Sequence, residues 1–213
     1  MKIMMTGFEP FGGESMNPAL EAVRRLPDRV AGAEIVKVEL PTVYGRAGEV
    51  LEEAVRRELP DAVLCVGQAG GRSGILVERV AINLRDARIP DNGGRQPVDE
   101  AVREGGPAAY FSSVPVKRMV AAIREAGIPA FLSYSAGTFV CNDILYSLLH
   151  LIARERPAMK GGFIHVPYAT EQTVDKPSGT PGMELGTIAR ALERAIGAVV
   201  EAMAEEITEK RNK

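Results

Sequence analysis

The run Ala62-Val63-Leu64-Cys65-Val66-Gly67 decides the fold class. It is apolar without interruption, enters from Pro60-Asp61 and leaves into a glycine-rich loop, the signature of a β-strand covered on both faces, and strands of that kind belong to parallel sheets packed between helices. Working outward, Lys2–Thr6 and Glu34–Leu40 are further β-type runs. Pro18–Leu26 and Gly45–Glu58 have helical periodicity, the second with Ala47, Val50, Leu51, Ala54 and Val55 on one stripe. On the other side, the pattern predicts a helix over Val116–Ala126 stopped by Gly127, a strand over Ala130–Tyr134 and a helix over Asn142–Glu155. A strand over Gly162–Val166 and a long closing helix over Glu184–Ile207 follow. Alternating β and α segments with no linker and no internal repeat predict one α/β domain over residues 1–213. Its expected architecture is a three-layer α/β/α sandwich around a mostly parallel, twisted mixed sheet.

Composition narrows the function. The 213 residues are 46% hydrophobic and 25% charged, as in a soluble globular chain, and 26 Lys+Arg against 28 Asp+Glu leave a net charge of -2. No positive field draws in nucleic acid or an anionic membrane, so neither is expected as a partner. Cys65, Cys141, His150 and His165 are the only cysteines and histidines. A structural zinc site would consume all of them, and none of the close pairings such sites use is present, so no metal is expected. Met1–Gly7 offers too short an apolar run for a signal peptide, which points to the cytoplasm and reduced thiols.

In open α/β sheets, ligands gather beyond the carboxyl ends of strands. Three loops qualify: Thr6–Gly13, Gly67–Arg72 and Ser133–Asp143. The first two lack the spacing of dinucleotide or phosphate loops, so no nucleotide cofactor is expected. The third joins a strand to a helix and brings Cys141 to the helix start, where free N–H groups and the positive end of the macrodipole favour a thiolate. Cys65, inside its apolar run, reads as a small buried hydrophobe. A cysteine nucleophile commonly works with an imidazole. His150 lies within an amphipathic helix and reads as structural, whereas His165 ends a strand at Pro167 and belongs to the edge that carries Cys141. A carboxylate should orient that ring. In Leu76–Asn83 a period of two puts Glu78 on one face with Leu76, Val80 and Ile82, an acid on an apolar face that must be exposed by a bulge, paired with Arg79, Arg85 or Arg88, or bonded to His165. Ser135-Ala136-Gly137 is half of a nucleophile elbow, but Ser133 stands where the strained turn needs glycine. Asp86–Pro115, rich in glycine and proline, reads as a long ordered excursion of the sort that shapes sites.

Several motifs in order, TGFEPFGG with Asn17-Pro18, GxxGGR at Gly67–Arg72, ERVAINLRDARIPDNGG at Glu78–Gly94, SAGTFVCN at Ser135–Asn142 and GGFIHVPY with Glu171-Gln172, resemble the type I pyroglutamyl peptidases. The resemblance implies a cysteine exopeptidase that releases N-terminal pyroglutamate from peptides, with a triad on Cys141, His165 and Glu78. It implies that Phe8 and Phe11 flank the lactam ring, that Asn17 and Gln68 lie in the same pocket, and that Phe139 and Val140 complete its wall. It also implies an oxyanion role for Arg88 with the Cys141 N–H, and a homotetramer. Arg85 and the basic tail Glu209–Lys213 fall outside what it decides. The stripe Ile188, Leu192, Ile196, Val199 and Val200 of the last helix could pack on its own sheet or on another subunit.

Overall fold

The computed structural model describes residues 1–211; of the basic C-terminal tail, Asn212 and Lys213 lie outside the described residues. In chain order the elements are β1 (Lys2–Phe8), α1 (Pro18–Arg25), β2 (Arg29–Val30), β3 (Ala33–Leu40), α2 (Arg46–Glu58), β4 (Ala62–Gln68), β5 (Ile75–Glu78), β6 (Val80–Ile82), β7 (Ala109–Phe111) and α3 (Val116–Glu125). β8 (Ala130–Ser133), α4 (Val140–Glu155), β9 (Lys160–Val166), β10 (Tyr168–Ala169), a 3₁₀ turn at Thr170–Thr173, β11 (Gly182–Met183) and α5 (Leu185–Arg211) complete the chain. Among the described residues, no helix is long and apolar enough to cross a membrane.

Seven strands form one sheet in the order β2-β3-β1-β4-β9-β5-β8. β3, β1, β4 and β9 are mutually parallel, with β4, the strand of the apolar run, at the centre. β5 pairs antiparallel with β9, aligning Leu76 with His165 and Glu78 with Phe163, and β8 runs parallel to β5. The sheet is therefore mixed: β5 and β8 at one end, and the short β2 at the other, run against the four central strands. β8 consequently does not end at the carboxyl edge of β9, as a wholly parallel arrangement would require. Its last residue, Ser133, aligns with Glu78 and so with the middle of β9, and the loop Tyr134–Phe139 carries the chain back up to the start of α4.

Side-chain alternation splits the interior into two apolar layers. Ile3, Met5, Leu64, Val66, Val77 and Ile164 face α1, α3 and α5, where Ile188, Leu192, Ile196 and Val199 are fully buried. The stripe of the closing helix is thus satisfied within its own subunit. Met4, Val63, Cys65 and Phe163 face α2 and α4 on the other side. Gly7 lets α1 approach β1, since a Cβ there would lie 2.5 Å from Leu20 Cα.

The run Leu76–Asn83 is not one strand. At Arg79 the chain leaves β9, held by Arg79 N–H donating to Ser133 O at 2.8 Å, and β6 pairs instead with β7 in a separate ribbon. Glu78 therefore shares its face with Leu76 but not with Val80 and Ile82. The excursion Asp86–Pro115 is ordered by its own polar contacts. The buried Asp91 carboxylate accepts the N–H groups of Gly93 and Arg95 through Oδ1 and of Tyr44 through Oδ2.

Candidate active site

Cys141 is the second residue of α4. Its helix start has no side-chain cap at Phe139, and the first turn is held instead by Asn142. The Asn142 side chain accepts Ile82 N–H at 3.0 Å and donates to Ile82 O and Leu84 O, both at 2.9 Å, pinning the turn to the segment after β6. The first N–H groups of the helix have no intrahelical acceptor, so Cys141 lies where the backbone favours negative charge.

The thiol rests on the backbone of β4. A Cβ at Gly67 would lie 2.9 Å from Cys141 Sγ and 2.7 Å from the Phe163 ring, so any side chain at this position would displace one or the other. Gly67 aligns with His165 in the β4–β9 register, which brings the imidazole alongside the sulfur. His165 is 6% exposed and donates from Nδ1 to Glu78 Oε1 at 2.8 Å, with Cys141 as its neighbour on the other side. Burial alone would pull the imidazole pKa down. The neighbouring Cys141 and the bond to Glu78 outweigh it and raise the value to about 9. Glu78 is fully buried, and among the described residues its second oxygen, Oε2, has no hydrogen-bond partner.

None of the three arginines open to Glu78 pairs with it. Arg79 lies over the Phe111 ring, and Arg85 Nε pairs with the buried Asp143 at 2.6 Å. Arg88 faces the cleft, exposed, and among the described residues makes no ion pair. His150 bonds Tyr110 Oη through Nδ1 at 3.0 Å and stacks on Tyr146. Burial pushes the Cys65 thiol up to about 12, which keeps it protonated and inert. Ser135 accepts the Gly137 N–H at 3.2 Å, and among the described residues its hydroxyl meets no histidine.

Cys141, His165 and Glu78 open into a cleft of about 760 Å³. Phe11, Gln68, Arg88 and Phe139 line it, as do Glu14, Arg72, Asp86, Ile89 and Tyr168, which the sequence reading did not single out. Phe11 and Phe139 meet at 6.0 Å between ring centres, and Tyr44 braces Phe139 edge-on at 5.5 Å. Three expected wall residues are not in the wall. Phe8, 2% exposed, and Val140, 1% exposed, point into the apolar layer under α2 and α4 because their alternation and helix phase turn them inward. Asn17 caps α1, accepting Ala19 N–H at 3.0 Å and donating to Glu9 O at 3.2 Å. A thiol beside an imidazole that is itself hydrogen-bonded to a carboxylate, all three lining one cleft, can carry out nucleophilic acyl transfer.

Comparison with known proteins agrees with this chemistry. The pyroglutamyl peptidase family model matches residues 1–202. A pyrrolidone-carboxylate peptidase of Streptococcus suis is 56% identical over 201 residues, 94% of this chain and 93% of the relative. The crystal structure of pyroglutamyl peptidase I from Bacillus amyloliquefaciens superposes with a TM-score of 0.90 at 50% identity, covering 93% of this chain and 94% of that one. A mutant pyrrolidone carboxyl peptidase from Pyrococcus furiosus gives 0.92 at 42% identity, covering 95% and 100%. This chain belongs to the pyroglutamyl peptidase family of cysteine peptidases.

Proposed function

We propose that this enzyme removes N-terminal pyroglutamyl residues from peptides with Cys141 as nucleophile, His165 as general acid and base, and Glu78 as the residue that orients the imidazole. The observation that carries this reading is the half-buried Cys141 beside the buried His165–Glu78 pair, which is bonded at 2.8 Å, with all three lining the cleft. Cys141 Sγ attacks the carbonyl carbon that joins pyroglutamate to the next residue. As the C–N bond breaks, His165 gives its proton to the leaving amine, and it then takes one from the water that hydrolyses the thioester. The Cys141 N–H at the helix start and Arg88 stabilise the oxyanion, an effect worth about 2.7–4 kcal/mol per donor in a well-studied hydrolase.

Phe11 and Phe139 form an aromatic slot suited to a flat, uncharged lactam, and Gln68 supplies an amide partner. A free α-ammonium held between the two rings would give up hydration for apolar surface, which selects against unmodified N-termini. Phe8, Val140 and Asn17 are not part of this slot. Self-association as a homotetramer and a cytoplasmic home belong to the same proposal, on the strength of the family likeness. The mechanism needs no metal or cofactor.

The test is release of a fluorescent amine from its pyroglutamyl amide beside the matching prolyl and glutamyl amides, by wild type and Cys141→Ser. Lactam-selective release that the substitution abolishes is the expected result. Silence of folded wild type on every amide would sink the peptidase reading, and release surviving Cys141→Ser would move the nucleophile to Ser135.

A further inference from the structure

Two glutamines meet at the mouth of the cleft, and the atoms around them fix which way each amide points. Gln172, in the 3₁₀ turn after β10, accepts the Ala169 backbone N–H through Oε1 at 3.0 Å. Its Nε2 faces Glu14 Oε2 at 3.0 Å and the Met16 carbonyl at 3.4 Å. A backbone N–H can only donate, and a carboxylate or carbonyl can only accept, so Gln172 has one permitted orientation. Glu14 is itself held in place: Lys176 Nζ reaches Glu14 Oε1 at 2.6 Å while lying 4.3 Å from the centre of the Tyr168 ring.

The same Nε2 meets Gln68 at 3.1 Å. Since Nε2 donates, the atom of Gln68 that faces it must be Oε1. The Gln68 amide nitrogen is then the end left over, and Gln68 lines the cleft. Among the described residues, no other hydrogen bond is made by this side chain. We propose that Gln172 is a positioning residue for specificity: it locks Gln68 so that the pocket presents an N–H donor, and not an oxygen, to the substrate ring. The complementary ligand group is a carbonyl on the ring, which a pyroglutamyl residue has and a prolyl residue lacks. This inference rests on the pyroglutamyl reading above and deepens it.

The lock explains how a freely rotating amide can discriminate. An unanchored glutamine offers its oxygen or its nitrogen by turning over, and so accepts either kind of partner; fixing one end by groups of single polarity removes that freedom. Gln172→Glu reverses the fixed polarity with almost no change of shape. One carboxylate oxygen still accepts the Ala169 N–H, while the other faces Glu14 and the Met16 carbonyl, both acceptors, and so demands a donor from Gln68, which must turn its nitrogen away from the cleft and its oxygen toward it; any effect of the repulsion from Glu14 alone persists in the Gln68→Ala background.

The experiment measures kcat, KM and pH–rate profiles of the full-length enzyme on pyroglutamyl and prolyl amides for wild type, Gln172→Glu, Gln68→Ala and the double variant. Circular dichroism and the rate of Cys141 alkylation serve as checks on fold and nucleophile. Gln172→Glu is expected to raise KM for the pyroglutamyl amide by roughly 10–100-fold while kcat, the pH profile and alkylation stay near wild type. In the Gln68→Ala background the same substitution should add less than about twofold, because its target is gone. A folded Gln172→Glu enzyme with unchanged KM, or losses that multiply in the double variant, would overturn the inference while leaving the peptidase reading standing. Wild type inactive on the pyroglutamyl amide overturns both. Should Gln172→Glu fail to fold, the uncharged Gln172→Met is read the same way: it frees Gln68 to turn over, so a rise in KM confined to the Gln68 background supports the lock and no rise refutes it.

Discussion

His165 holds its proton far above the ordinary imidazole range because Cys141 and Glu78 together outweigh the cost of burial, and this links catalysis to stability through one proton. Its pKa is about 9 in the folded protein against 6.5 for the free side chain. A value raised by folding means the native state binds the proton more tightly. The stabilisation is complete below about pH 6.5 and disappears as pH rises through about 9. Urea midpoints measured from pH 6 to 10 should therefore fall across the upper part of that range, and kcat should decline on the same limb as the general acid is lost. In Cys141→Ser, where no thiolate can form beside the ring, the stability limb should move to lower pH; a limb that does not move would show that the shift has another source. The cluster of Cys141, His165 and Glu78 was legible only in part, because two histidines and two cysteines left few combinations while the acid on the face of Leu76 had His165 and three arginines as equal candidates until the fold paired it with His165. Gln172 was not legible, since its role depends on the polarity of a backbone N–H and a carboxylate that only folding brings to it.

The approach of α4 to β4 is set at Gly67, where the helix start rests its sulfur on bare backbone. Gly67→Ala places a methyl against Cys141 Sγ at 2.9 Å and the Phe163 ring at 2.7 Å, and something must shift. Overpacking of this kind costs about 1–3 kcal/mol of stability. The larger effect should be on rate, because displacing a nucleophile by about 1 Å can cost on the order of 100-fold. A folded Gly67→Ala enzyme with wild-type kcat/KM would contradict the close contact. Among the elements, the long apolar and periodic segments were readable from pattern alone, and their ends moved by only a few residues: α4 begins at Val140 rather than Asn142, and β9 at Lys160 rather than Gly162. What pattern could not supply was direction. β5 and β8 have ordinary strand sequences, and nothing in Ile75–Glu78 or Ala130–Ser133 records that they run against β9. The break at Arg79 was hidden for a similar reason, since the alternation continues through it while the hydrogen bonds change partner.

Across the whole molecule the sheet divides labour between its faces. Cys141, Glu78 and His165 belong to the face under α2 and α4, while α5 buries Ile188, Leu192 and Ile196 on the other. Leu192→Ala should therefore cost about 2–5 kcal/mol of stability, as emptied core sites do, and leave kcat/KM unchanged at temperatures where the variant is folded. Thermal melts alongside kinetics separate the two effects, and a parallel loss of kcat/KM would show that the faces are coupled. The antiparallel turn of β5 reaches further than the sheet diagram suggests. β4 and β9 are neighbours and parallel, yet the chain between them runs through β5 and β8 at the sheet's end and contains both Glu78 and Cys141, so His165 and its two neighbours come from separate passes of the chain. During synthesis Glu78 and Cys141 emerge before His165, and the three share one cleft only once the later strand β9 occupies its place between β4 and β5.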